Sequence, residues 1–121
     1  MNVISTTAAP AAIGPYSQAI EANGTVYVSG QLPIDPATGE FAPGGIQAQA
    51  RQSLTNMKNI LAEAGLTMQN VAKVTVLLAD IADFAAVNEV YAEFFSAPFP
   101  ARSAFQVAAL PKGAGVEIEA I

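Results

Sequence analysis

In Ser17-Gln18-Ala19-Ile20-Glu21-Ala22-Asn23-Gly24-Thr25-Val26-Tyr27-Val28-Ser29-Gly30, two short strand-like runs flank Asn-Gly. Asn-Gly is the strongest two-residue hairpin signal, because both central residues of that turn need positive φ. A two-residue loop sets the register: Ala22 faces Thr25, Ile20 faces Tyr27, Gln18 faces Ser29 and, with continued pairing, Tyr16 faces Gln31. Downstream, Asp35-Pro36-Ala37-Thr38-Gly39 and Pro43-Gly44-Gly45 are turn chemistry. Between Ile46 and Ala64 the apolar positions Ile46, Ala50, Leu54, Met57, Leu61 and Ala64 keep a helical period, and Gly65 is a natural stop. Val71–Leu78 alternates with Val74, Val76 and Leu78 on one side and Lys73, Thr75 and Leu77 on the other, as a largely buried strand does. A second helix follows, capped by Asp80 or Asp83, with Phe84, Val87, Tyr91 and Phe94/Phe95 as its buried stripe and Pro98 and Pro100 beyond its end. Arg102–Val107 and Val116–Ile121 read as two closing strands around the Ala108–Gly115 loop, taken as a last hairpin of undetermined register. With a short strand at Val3–Ser5, the order predicts one α+β domain over residues 1–121, a mixed sheet with two helices packed on one face.

The chain has 121 residues, of which 52% are hydrophobic and only 12% charged. So short a chain has too much surface to hide that composition internally, and the second sheet face needs cover, so a homo-oligomer is expected. A formal net charge of −5 has the wrong sign for tracking a phosphate backbone, which disfavours nucleic acid as a partner. With no Cys and no His, disulfides, thiolate nucleophiles, Ser-His-Asp triads and Cys- or His-based metal sites are excluded. Asp, Glu, Lys and Tyr remain for proton transfer. The start, Met1–Thr7, lacks a cationic region followed by an apolar one, and no apolar run approaches the roughly 18 residues of a membrane span. A soluble, cytoplasmic protein is the expectation.

Arg102 opens a small, apolar strand directly after Phe99-Pro100-Ala101. Its guanidinium fork can hold a carboxylate or phosphate, and an in-sheet salt bridge to Glu117 or Glu119 is an equal alternative. Those glutamates alternate with Val116, Ile118 and Ala120 and share one strand face; a solvated outer face is the commoner meaning of such a pattern. Were Arg102 and a glutamate to share a cleft, they would supply an anion anchor beside a general base, the minimum for adding water to a small carboxylate-bearing electrophile. Tyr16, after Gly14-Pro15, falls near Ser29 and Gln31, where cross-strand hydrogen bonding is the ordinary explanation. Gly30 either ends a strand or lets a ligand approach the main chain. Asn88, inside a helix, is a buried hydrogen-bond partner or a ligand contact. Lys73 fits a snorkelling strand lysine better than a desolvated amine, and Gly39–Gly45 forms no phosphate loop.

Ala11-Ala12-Ile13-Gly14-Pro15-Tyr16-Ser17-Gln18-Ala19, Val28-Ser29-Gly30-Gln31-Leu32-Pro33, Gln49-Ala50-Arg51-Gln52-Ser53-Leu54, Pro100-Ala101-Arg102-Ser103 and Val116-Glu117-Ile118-Glu119-Ala120-Ile121 together resemble the Rid family, also called the YjgF family. The resemblance covers practically the whole chain. It implies a chorismate-mutase-like α+β fold and a homotrimer, with the sheets as a central barrel, helices outside and three clefts between subunits. It also implies cofactor-free hydrolysis of 2-imino acids, such as 2-iminobutanoate and 2-iminopropanoate, or their enamine tautomers, to 2-oxo acids and ammonia. Carried over by position, Arg102 clamps the substrate carboxylate and Glu117 orients and activates water. Tyr16, Ser29, Gly30 and Asn88 complete the pocket. Ala104 stands where the family often has Cys, and contributes through its backbone. Two rivals are a non-catalytic binding module for 2-oxo or other carboxylic acids and the ribonuclease or translation-inhibitor role attributed to the family; the acidic charge opposes the latter.

Overall fold

The computed structural model describes every residue from Met1 to Ile121. Strands β1 (Asn2–Ile4), β2 (Ala19–Ala22) and β3 (Thr25–Gln31) precede helix α1 (Ile46–Glu63). Strand β4 (Lys73–Leu78), helix α2 (Phe84–Phe94), and strands β5 (Ala101–Gln106) and β6 (Val116–Ala120) follow. One six-stranded mixed sheet runs in the order β1-β2-β3-β6-β4-β5. The β2–β3 hairpin turns on Asn23 (φ 53°) and Gly24 (φ 77°), with Ala22 opposite Thr25 and Ile20 opposite Tyr27 as the Asn-Gly loop dictates. Ser29 N–H donates to Gln18 C=O at 2.9 Å, but the pairing stops there. Gly14 (φ 123°) and the Tyr16 N–H bond to Gly14 C=O turn the chain away, so the expected Tyr16–Gln31 pair does not form.

The closing strands correct the expected last hairpin. β5 and β6 do not pair with each other: β4 lies between them, parallel to β5 and antiparallel to β6. β4 buries Val74, Val76 and Leu78 on its core face and carries Lys73, Thr75 and Leu77 on the other, and both of its edges are paired. The β4-α2-β5 crossover and β6 supply the partners.

Helix α1 ends as Gly65 predicts. Gly65 (φ 75°) donates to Ala62 C=O and Leu66 N–H reaches back to Leu61 C=O at 2.9 Å, which satisfies the last carbonyls in a Schellman arrangement. Ala50, Leu54, Met57 and Leu61 are buried as their spacing requires, and each large side chain so covered contributes about 1.5–3 kcal/mol. On the sheet, Val74, Val76, Leu78, Val116, Ile118 and Ala120 meet them, and Val87, Val90, Tyr91 and Phe95 extend the same core from α2. Asp80 rather than Asp83 provides a cap: its side chain accepts from Ala82 N–H at the 3-10 turn Ile81–Asp83 that leads into α2. No helix is long and apolar enough to cross a membrane.

Candidate active site

Arg102 lies on β5 beside Val74 of β4, so its side chain shares the helix-covered face of the sheet. There it meets α2. Phe84, Asn88 and Tyr91 are spaced four and three residues apart and make one stripe on that helix. The guanidinium carbon sits 5.2 Å from the Phe84 ring centroid and 4.7 Å from that of Tyr91. An Nη1–H donates to Asn88 Oδ1 at 2.7 Å. Neither glutamate of β6 pairs with Arg102; the one ion pair in the chain is Arg51–Glu93. Arg102 therefore stays exposed, without a neutralising acid and with N–H groups to spare.

The β5 backbone adds acceptors and donors at the same corner. Ala101 N–H bonds Ala72 C=O and Val107 N–H bonds Leu78 C=O, both toward β4. By strand alternation the N–H and C=O groups of Arg102, Ala104 and Gln106 point the other way, off the free edge. Ala104 thus has the outward backbone that a substrate contact would need.

Glu117 belongs to the other face. It stands opposite Leu77 of β4, with Glu119 opposite Thr75. Glu119 is exposed, whereas Glu117 is partly covered. Burial, and then the charge of Glu119, push the Glu117 carboxyl above the ordinary glutamate range. This is a carboxylate with raised basicity rather than a solvated surface acid. Beside it runs β3, where a register shift between Val28 and Gln31 breaks the regular ladder. Gly30 sits in that irregularity, and a Cβ built there would run into the Glu117 carboxylate. Ser29 Oγ–H donates to Ser17 C=O at 2.6 Å and ties the bulge to the Tyr16 segment. Tyr16 and Gly30 line a cavity of about 450 Å³ closed on other sides by Ile13, Leu32, Ile34 and Lys112. Arg102 is not among its walls.

Glu117 is a flexible side chain, so the fold accommodates a methyl at position 30 by moving the carboxylate. Gly30→Ala is therefore expected to leave the thermal midpoint within a few degrees of wild type while cutting turnover at least about 10-fold. Parallel melting curves and rate measurements check this; turnover at the wild-type level would show that the carboxylate position is immaterial.

Within one chain, then, the expected residues fall into two groups. Arg102, Asn88 and Ala104 gather at the β5–α2 corner, and Tyr16, Ser29, Gly30 and Glu117 gather at β3 and β6. The two principal side chains project from opposite faces of the same sheet. Sequence reasoning also missed what fixes the Tyr16 segment. Buried Gln18 donates from Nε2 to the carbonyls of Thr6 (3.0 Å) and Pro10 (2.7 Å), and accepts from Thr6 N–H (2.7 Å). Gln18 lay in the register argument as a strand residue, and its side-chain role had no sequence signal.

Among known proteins, a family profile described as Endoribonuclease L-PSP matches residues 6–121. RidA of an Antarctic Psychrobacter, a crystal structure, superposes with a TM-score of 0.95 at 51% identity, covering 99% of this chain and 97% of that one. The chain belongs to the Rid family. A second crystal structure, Escherichia coli TdcF with bound serine, superposes with a TM-score of 0.94 at 48% identity over 99% of this chain and 96% of that one. The 2-iminobutanoate/2-iminopropanoate deaminase of the goat, Capra hircus, is 61% identical over 120 residues, 99% of this chain and 88% of the goat protein. The motifs read as Rid-like in the sequence thus lie in a chain that matches Rid proteins along nearly its full length.

Proposed function

We propose that this Rid protein is a 2-iminobutanoate/2-iminopropanoate deaminase, a single domain acting as a hydrolase on C=N bonds in the cytoplasm without a cofactor. The observation that carries the reading is the 61% identity to a deaminase of that name over 99% of the chain. The free guanidinium of Arg102 and the raised basicity of Glu117 support it. Arg102 binds the substrate carboxylate as a fork, aided by Asn88 and the outward backbone of Ala104. Glu117 takes one proton from water as the oxygen attacks C2 of the iminium, giving a carbinolamine. Return of that proton to nitrogen makes an ammonium leaving group. As the C–N bond breaks and ammonia departs, the hydroxyl proton passes to Glu117 and the 2-oxo acid forms; solvent then carries that proton to ammonia. An iminium carbon is already electrophilic, so most of the acceleration comes from holding the carboxylate and the water in attack geometry.

Because Arg102 and Glu117 face opposite sides of one sheet, this reading places the working site between copies of the chain. Arg102 of one copy meets Tyr16, Ser29, Gly30 and Glu117 of another. A homotrimer with a chorismate-mutase-like barrel fits, and the exposed Tyr27 and Phe105 on the face opposite the helices suit burial there. The same arrangement predicts complementation. When chains carrying Arg102→Ala and chains carrying Glu117→Gln are mixed one to one and reassembled, random association restores roughly a quarter of the sites. Activity no greater than that of either variant alone would place both groups in one chain.

The direct test is 2-oxobutanoate release from 2-iminobutanoate generated in situ by a threonine dehydratase, against the uncatalysed rate. Acceleration is expected. Tight 2-oxobutanoate binding without acceleration would favour a carboxylate-binding module instead, a reading the serine-bound TdcF keeps in view. An RNA-directed role has the family profile's description behind it, but a net charge of −5 leaves no basic stripe for a phosphate backbone.

A further inference from the structure

Among the basic side chains, Arg102 has an unusual setting. It is exposed, lacks an acidic partner, and yet lies over two aromatic rings with one edge bonded to Asn88. An unpaired arginine at a strand edge samples many rotamers, and a ligand that needs one geometry bears the ordering cost on binding. Here both ring centroids fall within the roughly 6 Å over which a cation is held by an aromatic face. Phe84 and Tyr91 occupy the two ends of one helix stripe with Asn88 between them, so α2 fixes the guanidinium plane before any anion arrives.

The setting of Tyr91 supports the same conclusion. It is 6% exposed, stacks on Phe95 at 4.5 Å, and its hydroxyl is buried without a hydrogen-bond partner. A buried hydroxyl left unpaired is a cost. What the position uses is therefore the ring. Phe84 is only partly buried and contributes less to the core than its spacing suggested.

We propose that Phe84 and Tyr91 are positioning residues that clamp the Arg102 guanidinium by its faces and present its free N–H groups to the carboxylate of the substrate. The proposal rests on the deaminase reading above, in which Arg102 is the carboxylate anchor. It assigns to two apparent core aromatics the task of preorganising that anchor.

The experiment compares wild type, Phe84→Leu, Tyr91→Leu and Tyr91→Phe for kcat and KM with 2-iminobutanoate, for the affinity of 2-oxobutanoate, and for thermal midpoint. Loss of one ring is expected to raise KM and weaken 2-oxobutanoate about 3- to 5-fold, with a smaller fall in kcat because a loosened guanidinium also holds C2 less well against the attacking water. Tyr91→Phe keeps the ring and is expected to match wild type in both. Phe84→Leu, at a partly buried position, keeps the proposal testable if Tyr91→Leu folds poorly. Unchanged KM and 2-oxobutanoate affinity in a folded Phe84→Leu would overturn the clamp, as would a Tyr91→Phe defect equal to that of Tyr91→Leu. A wild type that binds 2-oxobutanoate but gives no acceleration would overturn the deaminase reading alone. In that case a weakened 2-oxobutanoate affinity in Phe84→Leu still supports the clamp, and an unchanged one overturns it.

Discussion

Arg102→Ala is expected to abolish measurable acceleration of 2-iminobutanoate hydrolysis, a fall of at least about 100-fold in kcat/KM, while the protein stays folded. The side chain carries no ion pair in the chain, and its hydrogen bond to Asn88 and its contacts with the Phe84 and Tyr91 rings lie at an exposed corner where each is worth little, so the fold survives its loss. In the proposed mechanism its contribution is to the ligand. There a bidentate hold on the carboxylate fixes where C2 lies relative to the attacking water, and that positioning is the main source of rate for an electrophile already reactive in solution. Arg102→Lys keeps the charge but loses the planar fork, and is expected to recover only a small part of the loss. The check is oxo-acid release from enzymatically generated imine, with circular dichroism to establish folding. A folded Arg102→Ala chain with wild-type rates would remove Arg102 from the mechanism.

Glu117→Gln is expected to lower kcat about 100-fold, at the lower end for loss of a general base because the imine needs modest assistance. Two pH effects accompany it. In the proposed mechanism activity requires the ionised carboxylate, so the acid limb of the wild type should lie above the ordinary glutamate value of about 4.3, and the Gln variant should lack that limb. Stability runs the opposite way. The folded-state pKa of Glu117 is raised, so the folded chain holds this proton more tightly than the unfolded one. The resulting stabilisation is complete below the unfolded value and disappears as pH rises through the folded one. At neutral pH the ionised, partly desolvated carboxylate beside Glu119 is a burden. Glu117→Gln should therefore melt higher than wild type at neutral pH, with the gap closing in acid. Melting curves across pH decide this, and a lower midpoint for the variant at neutral pH would mean that Arg102 of a neighbouring copy, which the proposed assembly brings to this carboxylate, outweighs burial and Glu119.

Opposed pH responses of activity and stability would mark a group placed for chemistry at the expense of the fold, and such a group leaves a faint trace in sequence. Glu117 and Glu119 alternate identically along β6, and nothing in Val-Glu-Ile-Glu-Ala distinguishes the covered one from the exposed one. The bulge of β3 that brings Gly30 against Glu117 makes the difference, and it is a tertiary feature. Local chemistry was far easier to read. Asn23-Gly24 fixed its hairpin and Gly65 its helix end, because each depends on the φ of one or two residues. The misplaced β5–β6 hairpin shows the limit: the Ala108–Gly115 loop carries no register information, and nothing in it shows that β4 lies between the two strands. The spacing of Phe84 and Tyr91 points to the core because an aromatic at helical spacing looks the same in sequence under a sheet or under a guanidinium.

The outward amides of β5 have a further consequence. They form an open row of donors and acceptors on a strand that reads Ala-Arg-Ser-Ala-Phe-Gln, with no proline or lysine to guard it. Such an edge accepts any extended chain of the right spacing. The row available to a substrate or a neighbouring subunit is thus also a template on which a foreign extended strand can pair when nothing else covers it.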